Sequence, residues 1–475
     1  MSYIFRRRLS HPLTDLTRAI RDEIYVQPYS SYIFSQHRNT ICPEDLYNPH
    51  TKLLDALNWI LTKYENYCVP TRFSDAAVQR VWELVCAEDD NTDFLCVGPV
   101  NNALHLLVVH YELGNDHYRF KRHVERLSDF MWLNKEGMMM NGTNGVQLWD
   151  TAFTVAAAFE ADLAEEEEFV PVLTKALEFL DDMQIKGNAP KEAYRHQRLG
   201  AWPFSTRDQG YTVSDCTAEG LRAVLLLQNN GYPRLIPDYC LQDAVDVLLS
   251  IQNRNGAFAS YELIRAGDWM EWINPAEVFG RIMVEYPYPE CTTAAITALV
   301  KFRESYPYYR RAEIDKAVKK ACKWLHSDQR KDGSWYGSWG ICFTYAMMFA
   351  MECLTLVGET YSTSESQKRA CEFLVKHQNE DGGWGESYLS CETGVWSDHP
   401  DGSQLVNTAW AVLALMYAQY PENDVIRRGI QLLVDRQQKN GEWLQESIEG
   451  VFNKNWLVFF PQCCANKQYD IVSEL

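Results

Sequence analysis

The sequence is poor in the features that many function classes require. Its 45 basic residues are outnumbered by 64 acidic ones, and the net charge of -19 excludes the basic footprint that a nucleic-acid backbone rewards. Attachment to an anionic membrane by charge alone is excluded on the same ground. No uninterrupted apolar run reaches the ~18 residues that mark a spanning helix. The opening MSYIFRRRLSHPL has arginines without an apolar stretch behind them, so it is not a secretory signal. The closing VSEL matches no retrieval address. The 14 cysteines include no C-x-x-C pair, and the one close pair is Cys463–Cys464. Reduced, intracellular thiols are expected, rather than a disulfide frame or zinc site. G-x-S-x-G, a Gly-rich phosphate loop and H-E-x-x-H are all missing. The 11 histidines are scattered, and His196 in the run YRH reads as a surface or loop residue rather than a ligand.

What is present is a globular chain of 475 residues, 46% hydrophobic and 23% charged, long enough for two large domains or three ordinary ones. Aromatics are abundant, with 15 Trp and 26 Tyr. The pattern is helical almost throughout. Residues 312–329 place Ile314, Val318, Ala321, Cys322 and Leu325 on one helix face, and 366–378 and 425–437 have the same character. No β-type alternation of comparable length appears. The acidic run Glu165 to Glu168 reads as a solvated helix face.

One motif recurs: two apolar residues, three others, Gln, three residues, Gly, one residue, Trp. Trp324-Leu325, Gln329, Gly333 and Trp335 form one copy, and Phe373-Leu374, Gln378, Gly382 and Trp384 another. Leu432-Leu433, Gln437, Gly441 and Trp443 form a third, and Leu248-Leu249, Gln252, Gly256 and Phe258 a degenerate fourth. The spacings fit two helices plus loops, so the chain is an array of helical hairpins. Each helix ends near its Gln, the Gly supplies a left-handed stop, and the Trp packs on the Gln side chain and the next helix as a clasp. The Gly- and Met-rich stretch 134–147 breaks the pattern and marks a domain boundary. This gives 1–135, 136–455 and a divergent tail, 456–475.

Two carboxylate groupings compete for chemistry. Asp215 and Cys216 lie where a loop enters a helix, in the polar and aromatic stretch 200–224. Ser214 or Asp215 there reads equally as a helix N-cap. Asp89, Asp90, Asn91, Thr92 and Asp93 spell D-D-x-x-D, the Mg²⁺-binding run of enzymes that ionise prenyl diphosphates. No second acidic cluster and no basic set to hold a diphosphate accompany it, and the stretch also reads as a solvated loop. Asp181-Asp182 is a weaker echo of the same motif.

The repeated motifs and the run VSDCTAE together resemble the 2,3-oxidosqualene cyclase family. The likeness extends from Met1 to about Asn455 through DEIYVQPY, DLYNPH, GTNGVQLWDTAF, NPAEVFG, PECTT and GSWGICFTY. It implies an all-α protein of two α/α-barrel (toroid) domains, the first incomplete. It further implies cyclisation of (S)-2,3-oxidosqualene without cofactor or metal. The sister squalene–hopene cyclases carry D-x-D-D where this chain reads Ser-Asp-Cys-Thr. A single acid points to the epoxide, which is easier to protonate than an alkene. By resemblance Asp215 is the general acid, oriented by Cys216 and Cys291. Trp149, Phe204, Tyr261, Phe279, Trp339 and Phe452 are the aromatic walls that stabilise cations. Thr143, Gln209 and Val213 match the product-determining set of the family's lanosterol-forming fungal members, where cycloartenol-forming ones carry Tyr, His and Ile. The resemblance also implies a C30 lipid substrate and monotopic attachment to one leaflet of the endoplasmic reticulum, cytoplasmic face, or a lipid droplet.

Two departures qualify the likeness. The family has roughly a further third of chain before the position matching Met1, including an active-site His in W-C-H-x-R. After Asn455 it continues into a Tyr-bearing helix, whereas this chain reads WLVFFPQCCANKQYDIVSEL. Residues 1–475 alone are therefore expected to be inactive. Other readings are a non-catalytic fragment or isoform, a cyclase with another triterpene product, and an α/α-barrel glycosidase using Glu262 and Glu271.

Overall fold

The computed structural model describes residues 1–34, 37, 39–67, 72–134, 137–142, 145–190, 195–452 and 454–458. Thr143, Cys463 and Cys464 lie outside these residues. The chain forms two compact units, Met1–Asn144 with Gly267–Met283, and Gly145–Ala266 with Val284–Leu475.

In the first unit, helix α1 (Ser2–Arg7) is followed by α2 (Asp15–Ile24), α3 (Lys52–Tyr67), α4 (Arg72–Thr92), α5 (Pro99–Leu113) and α6 (Tyr118–Arg126). Its core is small: Tyr3 of α1 packs with Val78 and Val85 of α4 and Val108 of α5. The returning segment 267–283 is tied in by Asn48, whose amide nitrogen donates to the Glu277 carbonyl at 2.7 Å and whose side chain donates to that of Ala276 at 2.9 Å. The stretch around 134 is not merely a break in helix. It is an antiparallel hairpin, β1 (Met131–Asn134) with β2 (Gly137–Met140).

The second unit carries the repeated hairpins: α7 (Gln147–Glu160) with α8 (Val170–Met183), α9 (Ser214–Asn229) with α10 (Asp238–Ile251), and α11 (Pro289–Ser305) with α12 (Arg311–Asp328). Then come α13 (Phe343–Leu356) with α14 (Glu365–Lys376), the short α15 (Leu389–Thr393), and α16 (Leu405–Tyr417) with α17 (Asn423–Arg436). Helices α9, α11, α13 and α16 are buried along most of their length, whereas α12, α14 and α17 bury one stripe each. The former are the inner staves of an α/α toroid and the latter its outer layer. On α12 the buried stripe is Ile314, Ala317, Val318, Ala321 and Leu325, with Cys322 half-buried. At one end of the staves Arg222 of α9 meets Glu160 of α7 at 2.9 Å and Glu352 of α13 at 3.0 Å. The Tyr417 hydroxyl of α16 donates to Glu160 at 3.5 Å. The chain then forms β3 (Gly450–Phe452) paired antiparallel with β4 (Trp456–Val458).

The recurring motif has a definite hydrogen-bond logic. Gln329 Nε2 donates to the Gly333 carbonyl and to that of Ser366 on the next outer helix, both at 2.8 Å. Gln378 does the same to Gly382 (2.7 Å) and Val425 (2.8 Å), and Gln252 to Gly256 and Ala317 (both 2.9 Å). The Gln side chain therefore crosses to the neighbouring hairpin. The Trp closes back on its own helix: Trp335 Nε1 donates to Leu325 at 2.9 Å and Trp384 Nε1 to Leu374 at 2.7 Å. Gly333 at φ +95° and Gly382 at φ +91° are left-handed, and a Cβ on Gly333 would overlap the Arg369 carbonyl. A further copy is hidden by a longer loop. Gln184 donates to Gly200 and Cys240 at 2.9 and 3.0 Å, and Trp202 Nε1 donates to Leu180 at 2.8 Å.

Two expectations are corrected. Glu165 to Glu168 are exposed, but they form the turn between α7 and α8 rather than a helix face. Asp89 to Thr92 are not a solvated loop. They end α4, and Asp89 is fully buried because His105 and Arg119 turn towards it.

Candidate active site

The acid site is built by two inner helices and the loop that joins their ends. The residue preceding α9 is Val213, whose side chain makes no cap; neither Ser214 nor Asp215 is the N-cap. Ser214 is instead used as a clip. Its amide nitrogen donates to the Ser260 carbonyl at 2.7 Å and its hydroxyl to that of Ala259 at 2.6 Å. The same loop is tied to the start of α11, because Phe258 N donates to Thr292 Oγ1 and Tyr288 N to the Phe258 carbonyl, both at 3.0 Å. The first turns of α9 and α11 are thereby held in register. Threonine serves the same purpose twice more: Trp202 N donates to Thr217 Oγ1 at 3.0 Å and Trp384 N to Thr408 Oγ1 at 2.9 Å.

This register places Asp215 opposite Cys291. Asp215 is 6% exposed. Its Oδ1 accepts from Cys216 N at 2.8 Å, and its Oδ2 accepts from Cys291 Sγ at 3.5 Å. Burial pushes both thiols well up, so both remain S–H donors. Burial also raises the Asp215 carboxyl to about 6, against the opposing pull of the Cys216 amide and the two thiols. Among the described residues, no cation stands among the principal groups that act on it. A carboxyl in such a position holds a proton to near-neutral pH and delivers it to a weak base that enters the apolar interior.

Two buried carboxyls missed in the sequence flank this group. Glu290, next to Cys291, accepts from Ser338 N at 2.5 Å and is raised to about 7 by burial. Glu285 accepts from Ser260 N at 3.2 Å and is likewise raised to about 7. The nearby Asp215 carboxyl adds to burial in raising both of them. Glu290 also holds the 338–339 backbone that carries Trp339. Its position inside PECTT, beside the thiol, was the available signal.

The aromatic candidates fall into four groups. The rings of Trp149 and Phe204 lie tilted to each other with centroids 5.8 Å apart, and Trp149 meets Phe153 at 4.5 Å. Tyr261 meets Tyr211 at 6.1 Å; the residue is 39% exposed, and desolvation of its hydroxyl with the nearby carboxyls of Glu285 and Asp215 pushes that hydroxyl up. Trp339 packs on Tyr288 at 4.7 Å, and its carbonyl accepts from Val451 N at 2.9 Å, next to Phe452 on β3. Phe279 belongs to segment 267–283, which is part of the first unit. Its carbonyl accepts from Asn274 Nδ2 at 2.8 Å.

The sequence profile of the squalene-hopene cyclase C-terminal domain matches residues 146–462. The chain belongs to this cyclase family. It is similar to a lanosterol synthase of Pneumocystis carinii, 55% identical over 97% of this chain and 64% of that protein. A lanosterol synthase of Aspergillus fumigatus is 53% identical over 97% of this chain and 62% of its own length. A cycloartenol synthase of Dictyostelium discoideum is 44% identical over 97% and 65%. The chain thus spans somewhat under two thirds of the length of these relatives. Among solved structures, ent-copalyl diphosphate synthase from Streptomyces platensis matches with a TM-score of 0.50 at 16% identity, covering 74% of this chain and 54% of that one. That likeness concerns the helical fold alone.

Within the cyclase fold the remaining sequence candidates have defined places. Gln209 is buried with its Oε1 accepting from Phe204 N and Ser205 N, both at 3.0 Å. It shapes the loop that carries Phe204. Val213 is buried immediately before α9. The glycosidase carboxylates are otherwise engaged. Glu262 accepts from Arg195 at 2.6 Å, His196 at 3.0 Å and Arg265 at 2.7 Å. Glu271, in the first unit, accepts from the amides of Arg281 and Met283 at 2.9 and 2.7 Å. The D-D-x-x-D side chains diverge: Asp89 points inward, Asp90 pairs with Arg119 at 2.7 Å, and Asp93 pairs with Arg122 and Arg126. His196 is half-buried in a loop and serves as a partner of Glu262.

Proposed function

We propose that this chain is the acid-bearing part of an oxidosqualene cyclase of the lanosterol type. The observation that carries the reading is Asp215: a buried carboxyl raised to about 6, with thiol donors and, among the described residues, no cationic partner. Its O–H proton passes to the epoxide oxygen, the tertiary C–O bond opens, and the alkene electrons close successive C–C bonds. The positive charge migrates along the polyene. Aromatic faces such as Trp149, Phe204 and Trp339 lower its energy by about 2 kcal/mol each where water is excluded. Loss of a proton from the last cation ends the reaction. Gln209 and Val213, in place of His and Ile, favour lanosterol over the cyclopropyl alternative by leaving room for the final cation and no adjacent base.

The substrate is a hydrocarbon-like C30 epoxide, and a protein that takes it from lipid needs an apolar contact with one leaflet. Among the described residues no helix is long and apolar enough to cross a membrane. We therefore assign monotopic attachment at the endoplasmic reticulum or a lipid droplet, released by detergent and not by salt.

The test joins residues 1–455 to the preceding and following segments of the Pneumocystis carinii relative, in a sterol-auxotrophic strain lacking its own cyclase. Lanosterol should form, and Asp215→Asn should lower it by about 10³-fold or more, because an amide cannot supply the proton. Lanosterol formed at an undiminished level by Asp215→Asn would remove Asp215 from the mechanism.

A further inference from the structure

The first unit holds a buried cluster that the cyclisation does not use. Asp89 near the end of α4, Cys96 in the turn that follows, and His105 on α5 bring three ligand-type atoms together. Cys96 Sγ lies 3.5 Å from His105 Nδ1 and 3.8 Å from Asp89 Oδ1, and His105 Nδ1 lies 2.9 Å from that same oxygen. Asp89 and Cys96 are fully buried. The turn is fixed around them: Cys96 N donates to Thr92 Oγ1 at 2.9 Å, and Asn102 Nδ2 donates to the Phe94 carbonyl at 2.6 Å.

As a hydrogen-bond network the cluster does not close. His123 of α6 is fully buried and aimed at the carboxylate, with Nε2 3.2 Å from Asp89 Oδ2. The other ring nitrogen of His123, Nδ1, has no hydrogen-bond partner among the described residues. Arg119 stands on the Oδ2 side as well, 3.7 Å away, with its charge shared by Asp90. His123 and Arg119 therefore stand on one carboxylate oxygen, and the other faces the thiol and the second imidazole.

We propose that Asp89 Oδ1, Cys96 Sγ and His105 Nδ1 form a binding site for a divalent ion of the zinc class, with His123 positioning the carboxylate. Zinc at ~2.3 Å from sulfur and ~2.0–2.2 Å from nitrogen and oxygen sets tetrahedral edges of about 3.4–3.6 Å. The two edges to sulfur already approach this, and the Asp89–His105 edge opens by about 0.5 Å as the ion replaces the shared proton. A mixed Cys, His and carboxylate set selects a borderline ion, not the all-oxygen shell that Mg²⁺ requires. Binding removes the thiol proton to solvent, and water fills the fourth position. The site uses Asp89 of the D-D-x-x-D run but none of its other carboxylates. Cysteine spacing gave no sign of it, because one thiol is paired with groups from other helices.

The probe is Co²⁺, added to the metal-stripped 475-residue chain. The wild type should bind one ion per chain and show the near-ultraviolet charge-transfer band of a cobalt thiolate, displaced by Zn²⁺. The band should vanish in Cys96→Ser, persist in Cys86→Ser, and require at least about tenfold more Co²⁺ in His123→Gln. Zn²⁺ should raise the thermal midpoint of the wild type and leave that of Cys96→Ser unchanged. No thiolate band in the wild type overturns the proposal without any variant having to fold. A band undiminished in Cys96→Ser overturns it too, since the ion then sits on another thiol.

Discussion

Asp215 and Glu262 lie in the same unit and both qualified as catalytic carboxylates on sequence, yet their surroundings drive them in opposite directions. Asp215, at the start of α9, has one backbone N–H and neutral thiols for company, and burial raises it to about 6. Burial acts on Glu262 also, but hydrogen bonds from Arg195 and His196 outweigh it and hold the carboxyl below its usual range. The lesson is that a buried carboxyl becomes an acid through what is withheld from it. Glu386 shows the same from a third side. It is buried and raised, but its oxygens accept from the amides of Cys342 and Phe343 at 3.0 Å and of Thr344 at 3.2 Å, so it holds the start of α13.

The largest effect that sharpens this contrast is on Glu386. Glu386→Ala strands three buried N–H donors, each worth about 1–3 kcal/mol, and should lower unfolding free energy by about 3 kcal/mol or more. Urea denaturation measures it; a loss as small as that of a surface substitution would break the distinction between cap and acid.

Asp215→Asn should behave in the opposite way. The folded-state pKa is raised from 3.8 to about 6, so the folded protein holds this proton more tightly than the unfolded chain. Stability referred to the neutral form is intact below the ordinary pKa and is lost as pH rises through that window. Two units correspond to about 3 kcal/mol, so Asp215→Asn should gain up to about 3 kcal/mol over wild type between pH 4 and pH 7. A pH-independent difference would contradict the raised pKa.

Trp384→Phe removes the Nε1 bond to Leu374 and should cost about 1–2 kcal/mol with the acid site untouched. The smallest effect is expected at Glu262. Its lowered pKa contributes stability above the ordinary carboxyl range that is lost as pH falls, and Glu262→Gln should cost about 1 kcal/mol at neutral pH. Elimination of activity by Glu262→Gln with the fold intact would revive the glycosidase reading.

The fold was legible where local chemistry repeats. The Gln–Gly–Trp spacing announced hairpins because each residue type answers a fixed need: an amide to cross to the next helix, a left-handed stop, an indole N–H for the last carbonyl. The copy at Gln184 and Trp202 was not legible, since its Gly200 comes 16 residues after the Gln instead of 4 and the spacing rule fails. At the site, Asp215 stood out as a carboxyl where a loop enters a helix, but its role as the acid and its pairing with Cys291 came only through a family likeness. Nothing local says that residues 76 apart share a hydrogen bond. Glu285 and Glu290 went unread because a lone glutamate is ordinarily a surface residue, and only tertiary packing buries these. Asp89 was misread for the same reason, as the histidine and arginine that draw it inward lie on α5 and α6.

The central claim is that Asp215 is a buried carboxyl with its proton retained towards neutral pH. Difference infrared spectroscopy of the carboxyl C=O band, wild type against Asp215→Asn across a pH series, tests it directly. The account predicts one carboxyl titrating near 6, moving up further in Cys291→Ala as the anion loses a donor. A carboxyl at Asp215 that titrates at its ordinary value of 3.8 would contradict it.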